Sequence, residues 1–135
     1  PMAVKFTPTT GKTHFTALAS GEIDMLARNT TWTFSRDNDL KFEFVGVNYY
    51  DGQGFLVTTD LGVGSATELD GASFCIQAGT TTELNLADQM AAIGVEYTPV
   101  VYETADETTD SYLQDRCDAW TTDISGIVAV MLVLG

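Results

Sequence analysis

From Ser65 onward the chain alternates strand and helix signals at regular spacing, and this alternation constrains the fold more than any other feature. Ser65 begins a helical turn closed by Asp70-Gly71. Ser73–Gln77, Ser-Phe-Cys-Ile-Gln, reads as a strand, and Ala78-Gly79 turns the chain. Thr80 then opens a helix running to about Ile93. Thr80 and Glu83 fit a capping box, in which each side chain satisfies the other's exposed backbone donor. Leu84, Ala87, Met90 and Ala91 form its expected apolar face, and Gly94 ends it. Thr98–Glu103 is the next strand. Thr104–Asp115 is an acidic amphipathic helix with Tyr112 and Leu113 inward. Cys117–Thr121 is a further strand, with Asp123 at its carboxyl end, and Ser125-Gly126 leads into an apolar tail. Strands alternating with helices of this length predict an α/β fold with mostly parallel strands.

The N-terminal part is less regular. Ala3–Thr7 alternates and predicts a strand, Thr13–Ala19 a short helix with Phe15 and Leu18 on one face, and Ile23–Ala27 a second strand. A strand–helix–strand unit of this length suggests a parallel crossover. Lys41–Val47 and Gly54–Thr58 predict two more strands, and Gly62–Gly64 is the loosest stretch and the best place for a boundary between lobes. His14 is the sole histidine; with no metal-spaced partner it reads as a surface helix residue.

The composition narrows the function. At 135 residues the chain is one domain or one lobe, and 44 % apolar content supports a packed core. A net charge of −13 argues against nucleic acid, whose phosphates need Lys and Arg, and against anionic membrane surfaces. Pro1–Phe6 lacks the basic and apolar regions of a secretory leader, and the apolar run Ile127–Leu134 is too short to span a bilayer. The two cysteines alone leave both one disulfide and two free thiols open. No Gly-x-Ser-x-Gly, no Gly-x-x-x-x-Gly-Lys and no Gly-x-Gly-x-x-Gly occurs, so the sequence predicts neither an enzyme nor a cofactor, and no metal site.

Three places carry ligand chemistry. Arg28–Asp37, Arg-Asn-Thr-Thr-Trp-Thr-Phe-Ser-Arg-Asp, holds two of the six basic residues of an acidic chain, with threonine hydroxyls between them. A guanidinium beside hydroxyls suits a carboxylate, because its planar fork donates two parallel hydrogen bonds; the alternative is a polar loop whose arginines pair with surface acids. Gln77–Thr82 joins a strand, a glycine turn and a helix N-terminus, whose free N–H groups and dipole favour an anion; the alternative is an ordinary capped helix. Asp123, at a strand end where α/β sheets place ligands, could pair with an ammonium or cap the helix that follows. One cationic fork, one anion cradle and one carboxylate together match a zwitterion, an α-amino acid.

The same residues carry a family resemblance. Ala17-Leu-Ala-Ser-Gly-Glu-Ile-Asp24, Arg28–Asp37, Phe44-Val-Gly-Val-Asn-Tyr-Tyr-Asp-Gly-Gln-Gly-Phe55, Leu69-Asp-Gly71, Gln77-Ala-Gly-Thr-Thr-Thr-Glu-Leu-Asn-Leu-Ala-Asp88 and Arg116-Cys-Asp-Ala-Trp-Thr-Thr-Asp-Ile-Ser-Gly126 resemble solute-binding proteins of polar and general L-amino-acid ABC transporters. The resemblance runs from Val4 to Gly126. It implies the type II periplasmic binding-protein fold, a three-layer α/β/α arrangement with a mostly parallel sheet, with residues 1–53 as an incomplete first lobe and 54–135 as a nearly complete second one. It implies that Arg36 grips the ligand α-carboxylate, with Thr31 beside it and Thr81 closing from the other lobe, flanked by Thr80 and Thr82. It places the Asn29 carbonyl and the Asp123 carboxylate at the α-ammonium, and gives Gln77 a side-chain contact found in some relatives. The implied partners are an L-amino acid and transporter membrane subunits, and the implied compartment is the periplasm, where Cys75 and Cys117 would form a bridge. Family members are longer at both ends. The open edges and apolar tail left here predict a homodimer, and the competing reading is a dimerising module that no longer binds an amino acid.

Overall fold

The computed structural model describes residues 3–134, with side chains through Val133; Pro1-Met2, where the leader reading begins, lies outside them. Four strands form one sheet: β1 (Gln53–Val57), β2 (Ser73–Gln77), β3 (Thr98–Tyr102) and β4 (Ala119–Asp123), in the order β1-β4-β2-β3. β2 runs parallel to β3 and β4, and β1 is antiparallel to β4. Thus the sheet is mixed and mostly parallel, as the alternation from Ser65 predicts. Helix α1 (His14–Ala19) belongs to the N-terminal segment; α2 (Thr81–Ile93), α3 (Ala105–Leu113) and α4 (Ile124–Leu134) cover the sheet.

Side chains on a strand alternate between faces, so each sheet face builds its own core. Phe74 and Ile76 of β2 and Ala119 of β4 pack with Leu86 and Met90 of α2, Leu69 and Val95. On the other face Cys75 and Trp120 pack with Tyr112 of α3, Ile127 of α4 and Cys117. Helices on both faces give the three layers. Cys75 and Cys117 are joined as a disulfide, their Cα atoms 5.6 Å apart. Cys117 stands two residues before β4, so the bridge ties a strand to the turn entering its neighbour. No helix among the described residues is long and apolar enough to cross a membrane.

Several expectations are corrected. Ala3–Thr7, Ile23–Ala27 and Lys41–Val47 are not strands: a strand needs a hydrogen-bonded neighbour, and none pairs with these segments among the described residues. Their alternating side chains have no layer to cover, and Phe6 and Val45 are 88 % and 89 % exposed. There is accordingly no parallel crossover around α1, which buries His14 and Ala17 instead of Phe15 and Leu18. Packing is continuous across Gly62–Gly64, because β1 pairs with β4. On α2 the buried face is Thr82, Leu86 and Met90, while Leu84 is 66 % exposed and Ala87 and Ala91 face outward. On α3 Tyr112 is buried as expected, but its companion is Thr108, not Leu113.

Candidate ligand-binding site

The carboxyl ends of β2 and β4 and the N-terminus of α2 converge on a small cavity of about 30 Å³, whose lining includes His14, Arg28, Asn29, Thr30, Arg36, Gln77, Thr80, Thr81, Thr82 and Asp123. Beside it, sharing Arg28, Asn29, Thr30, Thr81, Thr82 and Asp123, opens a cleft of about 550 Å³ walled by Trp32, Phe44, Tyr49 and Tyr50. Trp32 and Phe44 stack with ring centroids 5.2 Å apart.

Arg36 sits in a single π-helical turn, Ser35–Asp39, and is 9 % exposed. Its Nη1 donates to the Thr31 carbonyl at 2.8 Å, and its guanidinium carbon lies 4.9 Å from the centre of the Phe15 ring. Burial lowers its pKa, the mark of a cation taken from water without an acid to balance it. Arg28 donates from Nη1 to the Thr9 carbonyl at 2.9 Å and from Nε to Asn29 Oδ1 at 3.2 Å. Among the described residues neither arginine pairs with a carboxylate; the ion pair there is Lys12–Glu103, at 2.7 Å. The surface-acid alternative for the arginines is thus set aside, and both cations stand at the cavity without an ion-pair partner among the described residues.

The start of α2 supplies the anion cradle. Thr80 is its N-cap, its Oγ1 accepting the Glu83 N–H at 3.2 Å and donating to the Gln77 carbonyl at 2.7 Å. The capping box is modified: the Glu83 carboxylate accepts from Gly79 N–H at 2.8 Å, not from Thr80. A helix leaves its first N–H groups without intrahelical acceptors. Thr81 and Thr82, whose N–H groups are of this kind, line the cavity. Gly79 has φ +73°, and a Cβ there would stand 2.9 Å from the Gly11 carbonyl oxygen; a Cβ on Gly11 would stand 2.7 Å from that of Ala78. The two glycines let the N-terminal segment lie directly on the α2 turn.

Cross-links hold that segment over the sheet. Thr31 Oγ1 and Thr81 Oγ1 are 3.0 Å apart, and Asn29 Nδ2 donates to Asp123 Oδ2 at 3.0 Å. Asp123 ends β4, and the capping role considered for it falls elsewhere: Ser125 N–H donates to Asp51, and Ile124 N–H to the Gly52 carbonyl. Gln77 lines the cavity, but its Nε2 donates to the Glu103 carbonyl at 3.2 Å. Arg36, Asn29, Thr80, Thr81, Thr82, Gln77 and Asp123 therefore meet at one cavity, and Thr31 lines the adjoining cleft.

The sequence reading misses three residues. His14 is not on the surface: it is 4 % exposed and lines the cavity. Thr30 lines it too. Gln53 braces the floor, its Nε2 donating to the Thr82 carbonyl at 3.0 Å and to Thr121 Oγ1 at 2.9 Å. Hydrophobic periodicity carries no signal for a buried polar residue on a helix of under two turns. Two buried side-chain polar atoms lack a hydrogen-bond partner among the described residues, His14 Nε2 and Thr30 Oγ1. Each such atom costs about 1–3 kcal/mol. No three His, Cys, Asp or Glu side chains among these residues converge to hold a metal ion.

No protein-family model matches the chain. It is 57 % identical over 129 residues to the glutamate/glutamine/aspartate/asparagine-binding protein BztA of Rhodobacter capsulatus, covering 96 % of this chain and 38 % of that protein. It is 55 % identical over 134 residues to the general L-amino acid-binding periplasmic protein AapJ of Rhizobium johnstonii, covering 99 % of this chain and 39 % of that one. Among solved structures, a periplasmic binding protein from Brucella ovis with glutathione bound superposes with a TM-score of 0.88 at 55 % identity, over 96 % of this chain and 41 % of that one. The chain thus spans about two fifths of the length of the relatives it matches. By sequence and by fold it matches a part of the periplasmic amino-acid-binding proteins of ABC transporters.

Proposed function

We propose that the chain binds an L-α-amino acid by its zwitterion. The observation that carries this reading is the placement of Arg36, the α2 N-terminus and Asp123 around one cavity. The α-carboxylate would enter between the Arg36 guanidinium and the N–H groups of Thr81 and Thr82, with the Thr31 hydroxyl beside it. The α-ammonium would meet the Asp123 carboxylate and the Asn29 carbonyl. Gln77, already bonded to Glu103, would orient the cavity wall, and Thr80 would hold the helix end in place. The aromatic cleft would take the side chain. As in the relatives named above, the bound amino acid would be polar or drawn from a broad set, the compartment the periplasm, and the wider partners the membrane subunits of an ABC transporter. The disulfide fits an oxidising compartment. Residues 1–53 would act as the part of lobe one that meets the ligand and 54–135 as lobe two.

Calorimetric titration with the twenty L-amino acids tests this. Saturable binding of at least one of them, lost in Arg36→Ala and in Asp123→Ala, is the expected outcome; heats no greater than dilution for all twenty would set the reading aside.

The cleft also favours a larger ligand with the same head. About 550 Å³ exceeds what one free amino acid fills, and the Brucella ovis protein carries glutathione, a peptide with a free α-amino-acid end. If the cleft takes such a ligand, glutathione displaces a bound amino acid competitively. A second copy of this chain is the proposed partner of the exposed apolar residues Met131–Val133 of α4; sedimentation equilibrium giving the mass of one chain at all concentrations would refute it.

A further inference from the structure

Two independent observations single out His14. It is more than nine-tenths buried with Nε2 unpartnered, and it lines the same small cavity as Arg28 and Arg36. Its other ring nitrogen, Nδ1, lies 2.9 Å from the Thr10 carbonyl oxygen, which can only accept. Nδ1 therefore carries the proton, and in the neutral ring Nε2 is a bare acceptor. Thr30 Oγ1, the other buried atom without a partner among the described residues, belongs to the lining of the same cavity. A space of about 30 Å³ has room for a water-sized polar group. A carboxylate oxygen is of that size, and the two guanidinium groups are opposite to a carboxylate in sign.

We propose that His14 is a ligand-contacting residue of this cavity, and that its Nε2 takes up one proton from solvent as a carboxylate enters and donates it to that carboxylate as a hydrogen bond, alongside the Thr30 hydroxyl. This deepens the amino-acid reading and rests on the same cavity. In the empty site the charged groups facing the ring are cationic, Arg28 and Arg36 from the segment above it. Lys12, on the loop before α1, is paired with Glu103, and Asp123 at the end of β4 is bonded to Asn29. Desolvation, then the two arginines, hold the imidazole below its ordinary pKa despite the Thr10 bond. An incoming anion offsets part of the repulsion from the two arginines and, in contact with Nε2, favours the imidazolium. Affinity for a carboxylate should therefore rise as pH falls, between the His14 midpoint of the occupied site and the lower midpoint of the empty one. Each pH unit between those midpoints is about a tenfold gain in affinity.

Because His14 is the only histidine, its ring C–H signals need no assignment. The experiment follows those signals by NMR from about pH 8 to about pH 5, a range in which amino-acid head groups stay ionised. It compares the free chain, the chain with sodium acetate, the chain with sodium chloride at matched ionic strength, and the chain with L-glutamine. The expected result is a midpoint below the ordinary histidine value in the free chain, raised by acetate and by L-glutamine but not by chloride. Calorimetry with L-glutamine should then give a Kd at least about threefold lower near pH 5.5 than near pH 8, and His14→Gln should flatten that dependence. A midpoint that none of the ligands moves, or that chloride moves as far as acetate, overturns the proposal, as does L-glutamine binding with an immobile His14 signal. A midpoint raised by acetate in a chain that binds no amino acid leaves His14 in its role and removes the amino-acid reading instead.

Discussion

Arg36 bears the greatest weight of any single residue, because a guanidinium buried without a carboxylate is stable only while something else satisfies it. One of its donors is taken by the Thr31 carbonyl and the ring of Phe15 lies beneath it, leaving the rest of the fork for a ligand. Lysine keeps the charge but not the planar fork. Arg36→Lys should therefore weaken amino-acid binding at least tenfold and Arg36→Ala about a hundredfold, roughly 3 kcal/mol, read by calorimetry. Retained affinity in Arg36→Ala would show that the carboxylate lies elsewhere. Asp118 is a structural counterpart. Its Oδ2 accepts from Ser73 Oγ at 2.6 Å and Ser73 N–H at 2.7 Å, and these two bonds, the hydroxyl's first, hold its pKa below the ordinary aspartate range. A depressed carboxylate pKa stabilises the fold above the unfolded value near ~3.9 and loses that effect as pH falls through the folded one. Asp118→Asn should lower the melting temperature at neutral pH, and the gap from the parent chain should close in strong acid. A gap of the same size at every pH would contradict this account.

At the scale of elements, the junction between β2 and α2 determines the site. Thr80 caps the helix, Glu83 reaches back to Gly79, and Gly79 turns with positive φ beneath Gly11. Gly79→Ala adds left-handed strain, about 1–3 kcal/mol for a residue with a Cβ, and also a close contact with the Gly11 carbonyl. It should lower the melting temperature and weaken ligand binding together, since the displaced segment carries Arg28 and Arg36. Unaltered binding in a destabilised Gly79→Ala chain would show that the segment is held independently of this turn. The junction was legible in the sequence because its signals are local: a strand run, a glycine, then Thr and Glu at cap spacing. The β2, β3 and α2 boundaries fall within a residue or so of their expected places for the same reason. The strands expected over Ala3–Thr7, Ile23–Ala27 and Lys41–Val47 show the limit. Alternation reports that a segment could cover a layer, and only a pairing neighbour makes it a strand. The burial of His14 was hidden likewise, because it depends on the Arg36 segment folding over a helix too short to have a readable face.

The molecule as a whole is a sheet covered on both faces, with an N-terminal segment laid across the strand ends by side-chain bonds and two glycine contacts. The cores of the two faces are small, and the Cys75–Cys117 bridge closes a separation of 42 residues within one of them. A loop of that size corresponds to about 4 kcal/mol in the chain-entropy account. Reduction, or Cys75→Ala with Cys117→Ala, should lower unfolding free energy by about 2–4 kcal/mol in a denaturant titration; a change under ~0.5 kcal/mol would show the bridge to be peripheral to the fold. The family block Gln77–Thr82, the Arg28–Asp37 stretch and Asp123 lie far apart in sequence, and their meeting was legible through the resemblance to longer proteins, since spacing along the chain cannot bring them together. The central claim is that this meeting place recognises a zwitterion. Calorimetry comparing an amino acid that binds in the titration above with its N-acetyl form, which lacks the ammonium, and with its α-carboxamide, which lacks the α-carboxylate, tests that claim most directly. The account predicts saturable binding of the unblocked amino acid alone, with each blocked form weaker by at least about a hundredfold; equal binding of all three would contradict it.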